Sequence, residues 1–374
     1  MGLKIIDFIK THSNWEELLT SSPYNLTIKR DGKLVLFKYN QISSDFNEEI
    51  CCEARGLILE EGTWKIVRFA FKKFFNLGES FAAKIDWDSA VGSEKLDGSI
   101  ISVFFYDGKW RIATNSTINA FKAEINGVGL YKTFGELFES VLPLSTFANY
   151  NKHRCWTFEL VSPYNKIVID YPETKVYLLS IRNMDSLEEL GLDAVEMLAD
   201  ANGLTVPERY DLNNEADYRK VVEQMPEGHE GIVVRDGNNE RVKIKTPLYF
   251  ELHRLKNNGV LTLEKIVDLI RENDQYEFLC YFPEYQSIFD DVKEQLDKIE
   301  PLLQMVKSTV MFWKDTHNFE NDNRTARKWF AQDFGKNEYS QLYFLAYDGR
   351  LDDLMSTIKT EKLIKLFKIE YHST

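Results

Sequence analysis

Lys95 ends a strand-like run, and Asp97-Gly98-Ser99 turns the chain into the next one. Glu159 falls in WTFELV, where Trp156, Phe158 and Leu160 alternate with it, and Glu230 opens the run EGIVV. Lys243 and Lys245 alternate with Val242 and Ile244 in VKIK, so both amines leave one face of a strand. Arg55 stands in EARG just ahead of a strand, and Lys73 in FKKFFN. These residue types serve in general as nucleophiles, metal ligands and anion contacts. Any one of them alone reads as an outward residue of an amphipathic strand. A bare KxDG turn arises by chance in roughly one chain of this length in ten. The ordered set, each charge embedded in apolar sequence, is far less easily met by chance.

The elements that must position these residues are mostly strands. NLTIKR and KLVLFKY flank Asp31-Gly32, GLILE and TWKIVRFAF flank Glu61-Gly62, and SIISVFFY and KWRIAT flank Asp107-Gly108. Three such hairpins predict a largely antiparallel sheet. CWTFELV, KIVI, KVYLLSIR, EGIVVRD and ERVKIK extend it. Helices are expected in the first twenty residues, with Ser13 and Glu16 at capping-box spacing, and from Leu130 through Phe134, Leu137 and Phe138 to Val141. Two more are expected in LDAVEMLADAN and EADYRKVVEQM. Beyond about Tyr249 the periodicity is helical throughout, and no strand–turn–strand signal recurs. The fold class expected is α+β: an antiparallel-sheet domain over residues 1–254, then an all-helical domain over 255–374.

Composition bounds the partners. The net charge is −13, spread along the chain, which argues against a protein that simply coats nucleic acid but allows a local basic groove. No apolar run approaches the ~18 residues of a membrane span, and the N-terminus lacks signal-peptide character. Cys51, Cys52, Cys155 and Cys280 form no CxxC pair and suit a reducing cytosol. The six histidines, His229 beside Glu230 among them, have no metal or triad spacing. A soluble, cytoplasmic protein is expected, with monomer as the default.

The order KxDG, FEL, LLSIR, EGIVV, KIK resembles the nucleotidyl motifs of the covalent nucleotidyltransferase superfamily, which includes ATP-dependent DNA ligases, RNA ligases and mRNA capping enzymes. FKYN (Phe37–Asn40), EARG and KKFFNLGE are similar to the upstream elements of the phage tRNA-repair RNA ligases, the RNA ligase 1 type. The likeness runs from about Phe37 to Tyr249. It implies a ligase domain of ATP-grasp-like build that moves AMP from ATP to a lysine, then to an RNA 5′-phosphate, and releases AMP as a 3′-hydroxyl attacks. By resemblance Lys95 is the nucleophile. A free lysine titrates near ~10.4, so the pocket must lower its affinity for protons, and Lys243 and Lys245 are the cations suited to that. Together with Arg55 and Lys73 they would neutralise phosphates. Asp97, Glu159 and Glu230 would hold Mg²⁺, with Mn²⁺ as a substitute, and Glu159 would also reach the ribose. Glu94, Leu179 and Val233 would line the nucleotide pocket, with Tyr249 as an aromatic lid. Many relatives carry a basic residue where Asn115 stands, so one phosphate contact is in doubt.

RNA specificity is less legible. Lys359, Lys362, Lys365 and Lys368 recur every third residue, and Arg324, Arg327 and Lys328 cluster. A solvated helix face is one reading; backbone contact with a tRNA stem or anticodon loop is the other. A DNA ligase or capping enzyme should continue after KIK into a β-rich barrel, whereas this chain turns helical. A non-catalytic RNA-binding protein on the same scaffold should have lost the lysine or the glutamates, and all are present. No separate kinase or phosphatase motif is evident.

Overall fold

In a computed structural model the chain is described except for residues 1, 42, 126–129, 166, 227, 248–260, 273–274, 282, 318–322, 352–353 and 371–374. It divides into two units: Met1–Asn40, Ser44–Val260 and Tyr276–Tyr281 in one, and Gln41–Ser43, Leu261–Gln275 and Phe282–Thr374 in the other. The expected boundary at 254/255 and the expected lid Tyr249 lie outside the described residues. Among the described residues no helix is long and apolar enough to cross a membrane.

The first unit carries three sheets. The first joins β1 (Thr27–Asp31), β2 (Leu34–Lys38), β3 (Arg55–Glu60) and β4 (Ile66–Arg68) in sequence order. Helices α1 (Lys4–Thr11) and α2 (Trp15–Thr20) pack on it through Ile5, Ile9 and Leu19, and α3 (Glu49–Glu53) precedes β3. The expected Ser13–Glu16 capping box is absent. Asn14 stands at the N-cap of α2 without a side-chain bond, and Glu16 pairs with Arg30 at 2.6 Å instead. The fully buried carboxylate of Glu53 accepts the Lys4 and Ile5 amides, which answers the orphan donors at the start of α1.

β5 (Phe75–Asn76) and β6 (Val91–Lys95) belong to another sheet, which β11 (Arg209–Tyr210), β12 (Gly231–Arg235) and β13 (Arg241–Lys245) complete in the order β11-β6-β12-β13-β5. The remaining sheet holds β7 (Ser99–Tyr106), β8 (Lys109–Thr114), β9 (Arg154–Val161) and β10 (Lys175–Asn183) in the order β10-β9-β7-β8. Asp107 and Gly108, at φ 51° and 76°, make the two-residue turn between β7 and β8. Trp156, Phe158 and Leu160 face a core shared with α4 (Phe134–Val141) and α5 (Leu192–Asn202), which leaves Thr157 and Glu159 on the opposite face. Helix α4 begins later than the apolar spacing indicated, at a capping box of Thr133 and Glu136, and Leu130 is 82% exposed. Helix α6 (Glu215–Glu223) lies between β11 and β12 in the chain, and its Tyr218 and Val222 pack under Ile232, Val234, Val242 and Ile244.

KIVI, expected as a strand, is not one. Residues 167–169 form bends, and the Val168 and Ile169 amides donate to the Asp97 carboxylate in place of a neighbouring strand. The second unit is helical over Leu263–Glu272, Gln286–Asp297, Ile299–Thr316, Asn323–Phe334, Ser340–Tyr347, Leu354–Thr357 and Thr360–Phe367, with no strand among its described residues. Phe289, Leu296, Val306, Phe330 and Leu363 are among its buried residues.

Candidate active site

The KxDG turn is the crossing point between two sheets. Lys95 is the last residue of β6, and Ser99 is the first of β7 in the other sheet. Antiparallel register sets Gly231 opposite both Lys95 and Lys245, and Val233 opposite both Ser93 and Lys243. Paired residues share a face, so Lys95, Val233, Lys243 and Lys245 leave one side of this sheet. The other side is the apolar core under α6. Glu94 therefore leaves from the face opposite Lys95; its carboxylate lies 3.7 Å from His229 Nε2, and burial raises its pKa while His229 opposes that. The expected nucleotide contact from the Glu94 side chain is not what this register provides.

Glu230 is the centre of the charged constellation. It is 3% exposed, and its two oxygens meet two ammonium groups: Lys95 Nζ at 2.5 Å from Oε2 and Lys245 Nζ at 3.3 Å from Oε1. Gly231 makes this approach feasible. It holds φ +149°, and a Cβ there would collide with the Ile244 carbonyl on the next strand. The Thr246 amide donates to the Glu230 carbonyl at 2.9 Å and closes the strand pair beside the site. The expectation of Lys95 set among cations is thus modified. Its immediate partner is a carboxylate, and Lys245 reaches that carboxylate from the other oxygen. Lys243 acts on Glu79, whose carboxyl is raised by burial and lowered again by Lys243.

Glu159 comes from the facing sheet. It is 8% exposed, and its carboxyl is pushed up to about 8, by burial first, with Glu230 and Asp97 adding to the rise against the Lys95 and Arg55 charges. Asp97 is raised in the same way by burial and by Glu230, and opposed by the Ile169 and Val168 amides and by Lys95. Arg55 opens β3, stacks 4.7 Å from the Phe74 ring centroid and points its field at Glu159. Leu179 is the residue at a β-bulge between Leu178 and Ser180, so it is turned out of the core that holds its neighbours. Val233 is likewise half-buried and outside the apolar clusters.

Lys73 is 9% exposed, with its ammonium 4.5 Å from the Phe46 ring, 4.8 Å from Tyr39 and 5.1 Å from Phe75. Burial alone would raise the Tyr39 phenol, but Lys73, Arg55 and Lys38 outweigh it and hold it below its ordinary value. Tyr39 lies within the FKYN motif, whose local pattern gives no sign that the phenol meets the Lys73 ammonium. Asn115 is tied elsewhere: its Oδ1 accepts from Nη2 of the fully buried Arg68 at 2.8 Å, and Arg68 also donates to Ser102 and to the Gly56 carbonyl. Asn115 thereby joins the first sheet to β8.

Three carboxylates, Asp97, Glu159 and Glu230, crowd this pocket; burial raises Asp97, and Glu159 is pushed to about 8. Those are signs of a missing positive charge, and they fit a divalent cation. No three acidic, His or Cys side chains among the described residues converge closely enough to cage one alone. Mg²⁺ characteristically uses one or two carboxylates and completes its shell with water and phosphate oxygens.

Comparison with known proteins agrees with the motif order. The family model described as RNA ligase matches residues 53–249, more than half of the chain. An RNA ligase of Rhodothermus phage RM378 is 28% identical over 336 residues, 72% of this chain and 76% of that one. RNA ligase 1 of bacteriophage TS2126 is 30% identical over 243 residues, 61% of this chain and 58% of its own. Several relatives are spanned over only 38% to 60% of their length. Among solved structures, an archaeal ATP-dependent RNA ligase aligns over 82% of both chains at 15% identity and a TM-score of 0.48. With the family profile covering the stretch that holds Arg55, Lys95, Glu159, Glu230, Lys243 and Lys245, the chain belongs to the RNA ligase family.

Proposed function

We propose that the protein is an ATP-dependent RNA ligase that seals 5′-phosphate to 3′-hydroxyl ends through a lysyl-AMP on Lys95 and an adenylylated RNA, in the repair of tRNA broken in its anticodon loop. The observation that carries this reading is the Lys95–Glu230–Lys245 array at the seam of two sheets. A lysine attacks as the free amine, so the Lys95 ammonium must first give up a proton. Glu230 Oε2, 2.5 Å away, is placed to take it. The Nζ lone pair then attacks the α-phosphorus of ATP. A P–N bond forms, the P–O bond to pyrophosphate breaks, and the second amine proton leaves for solvent. Lys245 holds Glu230 in place throughout and, with Lys243 and Arg55, offers positive charge to the phosphates, which is the larger part of catalysis in such transfers. Leu179 and Val233, turned out of the core on facing sheets, are the apolar surfaces offered to adenine. Glu159 and Glu230 would hold a divalent cation, Mg²⁺ or Mn²⁺, whose contribution when bound is to neutralise charge on the transferred phosphoryl. Lys359, Lys362 and Lys365, all exposed, would contact the RNA backbone. The reading places a monomeric enzyme in the cytoplasm.

The test is covalent labelling. Incubation with α-labelled ATP and Mg²⁺ should transfer label to the protein, and a chase with 5′-phosphorylated RNA should remove it as adenylylated RNA. Lys95→Ala should carry no label. Label that persists in this variant assigns the nucleophile elsewhere, and label that is chased by nicked DNA but not by RNA overturns the substrate.

A further inference from the structure

Asp97 stands two residues after Lys95, yet its carboxylate is turned toward the chain that links β9 to β10. Val168 N–H and Ile169 N–H donate to Asp97 Oδ2 at 2.7 and 2.8 Å. The Asp97 amide donates to the Tyr171 hydroxyl at 3.0 Å. Asn165 Nδ2 donates to Ser99 Oγ at 2.9 Å, from the same linking chain to the same turn. At the base of that chain Ser162 and Thr174 hydroxyls lie 2.8 Å apart. Val168, Ile169 and Tyr171 form a small apolar cluster of their own, and Asp97 is 4% exposed beneath it. On the other side of the turn, a Cβ on Gly98 would sit 2.5 Å from the Leu160 carbonyl oxygen. The Lys95–Ser99 turn is thus bound on one flank to the strand that carries Glu159 and on the other to the chain leading to Leu179.

We propose that Asp97 is a positioning residue and not a metal ligand: it pins residues 167–171 against the Lys95–Ser99 turn, which fixes the direction of Lys95 and closes that side of the pocket to water. Two backbone amides on one carboxylate oxygen, a backbone amide returned to Tyr171 and a side-chain bond at Ser99 make a strap with four ties. The chain at 167–169 has strand-forming residues and no strand partner; this carboxylate supplies the acceptor that two of its amides would otherwise lack, and buried amides require one. A carboxylate and a carboxamide differ usefully here. Asparagine keeps an oxygen able to accept both amides but brings no charge to a cation.

The inference rests on Lys95 being the nucleophile, so its test has one arm that does not depend on catalysis. In the full-length protein, hydrogen exchange at Val168 and Ile169 should be slow in the wild type and in Asp97→Asn, and about tenfold or more faster in Asp97→Ala. In the labelling assay Asp97→Asn should adenylylate within about threefold of wild type with an unmoved Mg²⁺ midpoint, while Asp97→Ala should fall by about a hundredfold, the scale expected for a misplaced reacting group. If Asp97→Ala does not fold, Tyr171→Phe, which removes one tie and no charged group, should lower labelling with the Mg²⁺ midpoint again unmoved. Asp97→Asn as inactive as the alanine variant while its amides stay protected, or a raised Mg²⁺ midpoint in that variant, would overturn the proposal in favour of a charge role. Unprotected amides in the wild type would overturn it directly. Wild type that never labels refutes the nucleophile assignment, and the exchange arm then decides the strap on its own.

Discussion

The Glu159 carboxyl, held to about 8 by burial and by Glu230 and Asp97, gives this pocket a measurable pH signature. In the unfolded chain the same group loses its proton near 4.5. Between those values the folded state binds the extra proton, so stability falls as pH rises through the window. Without nucleotide or metal, Glu159→Gln should match wild type below pH 4.5 and exceed it by roughly 2–5 kcal/mol above pH 8, at ~1.4 kcal/mol per pKa unit. Urea unfolding across pH reads this. A wild type that gains on the glutamine variant as pH rises would mean that the carboxylate is stabilised and that the pocket already supplies the positive charge. Lys95→Ala belongs to the same scale: it removes the amine from Glu230 and, on the proposed mechanism, all covalent label.

At the scale of elements, the two sheets that face each other across the pocket are held by a second constellation. Glu189, fully buried, receives Arg182 of β10 at 2.5 Å, Arg241 of β13 and Arg235 of β12. Burial would raise its carboxyl, but the Arg241, Arg182 and Arg235 charges and the Ser180 hydroxyl together bring it below its ordinary value. Phe69 and Phe71 lie under the Arg182 and Arg241 guanidiniums at 5.0 and 4.9 Å. Glu189→Ala leaves one buried and two half-buried guanidiniums without their shared anion. It should cost about 3–5 kcal/mol by chemical unfolding, as loss of one partner from a buried ion pair does. A change under about 1 kcal/mol would show that the arginines find other partners or water. The three hairpins were legible because Asp-Gly and Glu-Gly turns between alternating runs are local signals. KIVI was misread for the complementary reason: its composition is that of a strand, and the acceptor that takes its amides is a side chain about seventy residues away in sequence.

For the molecule as a whole, the helical unit is the part with the least explicit chemistry. Lys359, Lys362, Lys365 and Lys368 are all exposed, though Lys368 is already paired with Glu338 at 2.5 Å. Arg327 is engaged with Asp348 at 2.6 Å. On the proposed reading, the double variant Lys362→Glu/Lys365→Glu should leave adenylylation by ATP unchanged and weaken binding of a cleaved anticodon stem-loop, with a salt slope reduced by about 2. Unchanged affinity and slope would make the stripe a solvated helix face.

The sequence by itself determined the family, through the order of its motifs, and most of the strands, because turn residues and two-residue alternation act over short distances. It also placed Lys95, Glu159, Lys243 and Lys245 on strands whose faces follow from the pleat, whereas Glu230 stands just ahead of its strand and is aimed by the fold. Tertiary structure alone decided who meets whom. It set Lys95 against a carboxylate instead of among cations, sent Glu94 to the far face, closed aromatic rings around Lys73 and gave Asn115 to Arg68. Pairing between distant strands, and the burial that makes each unpaired charge costly, are properties of the folded chain that no local spacing encodes.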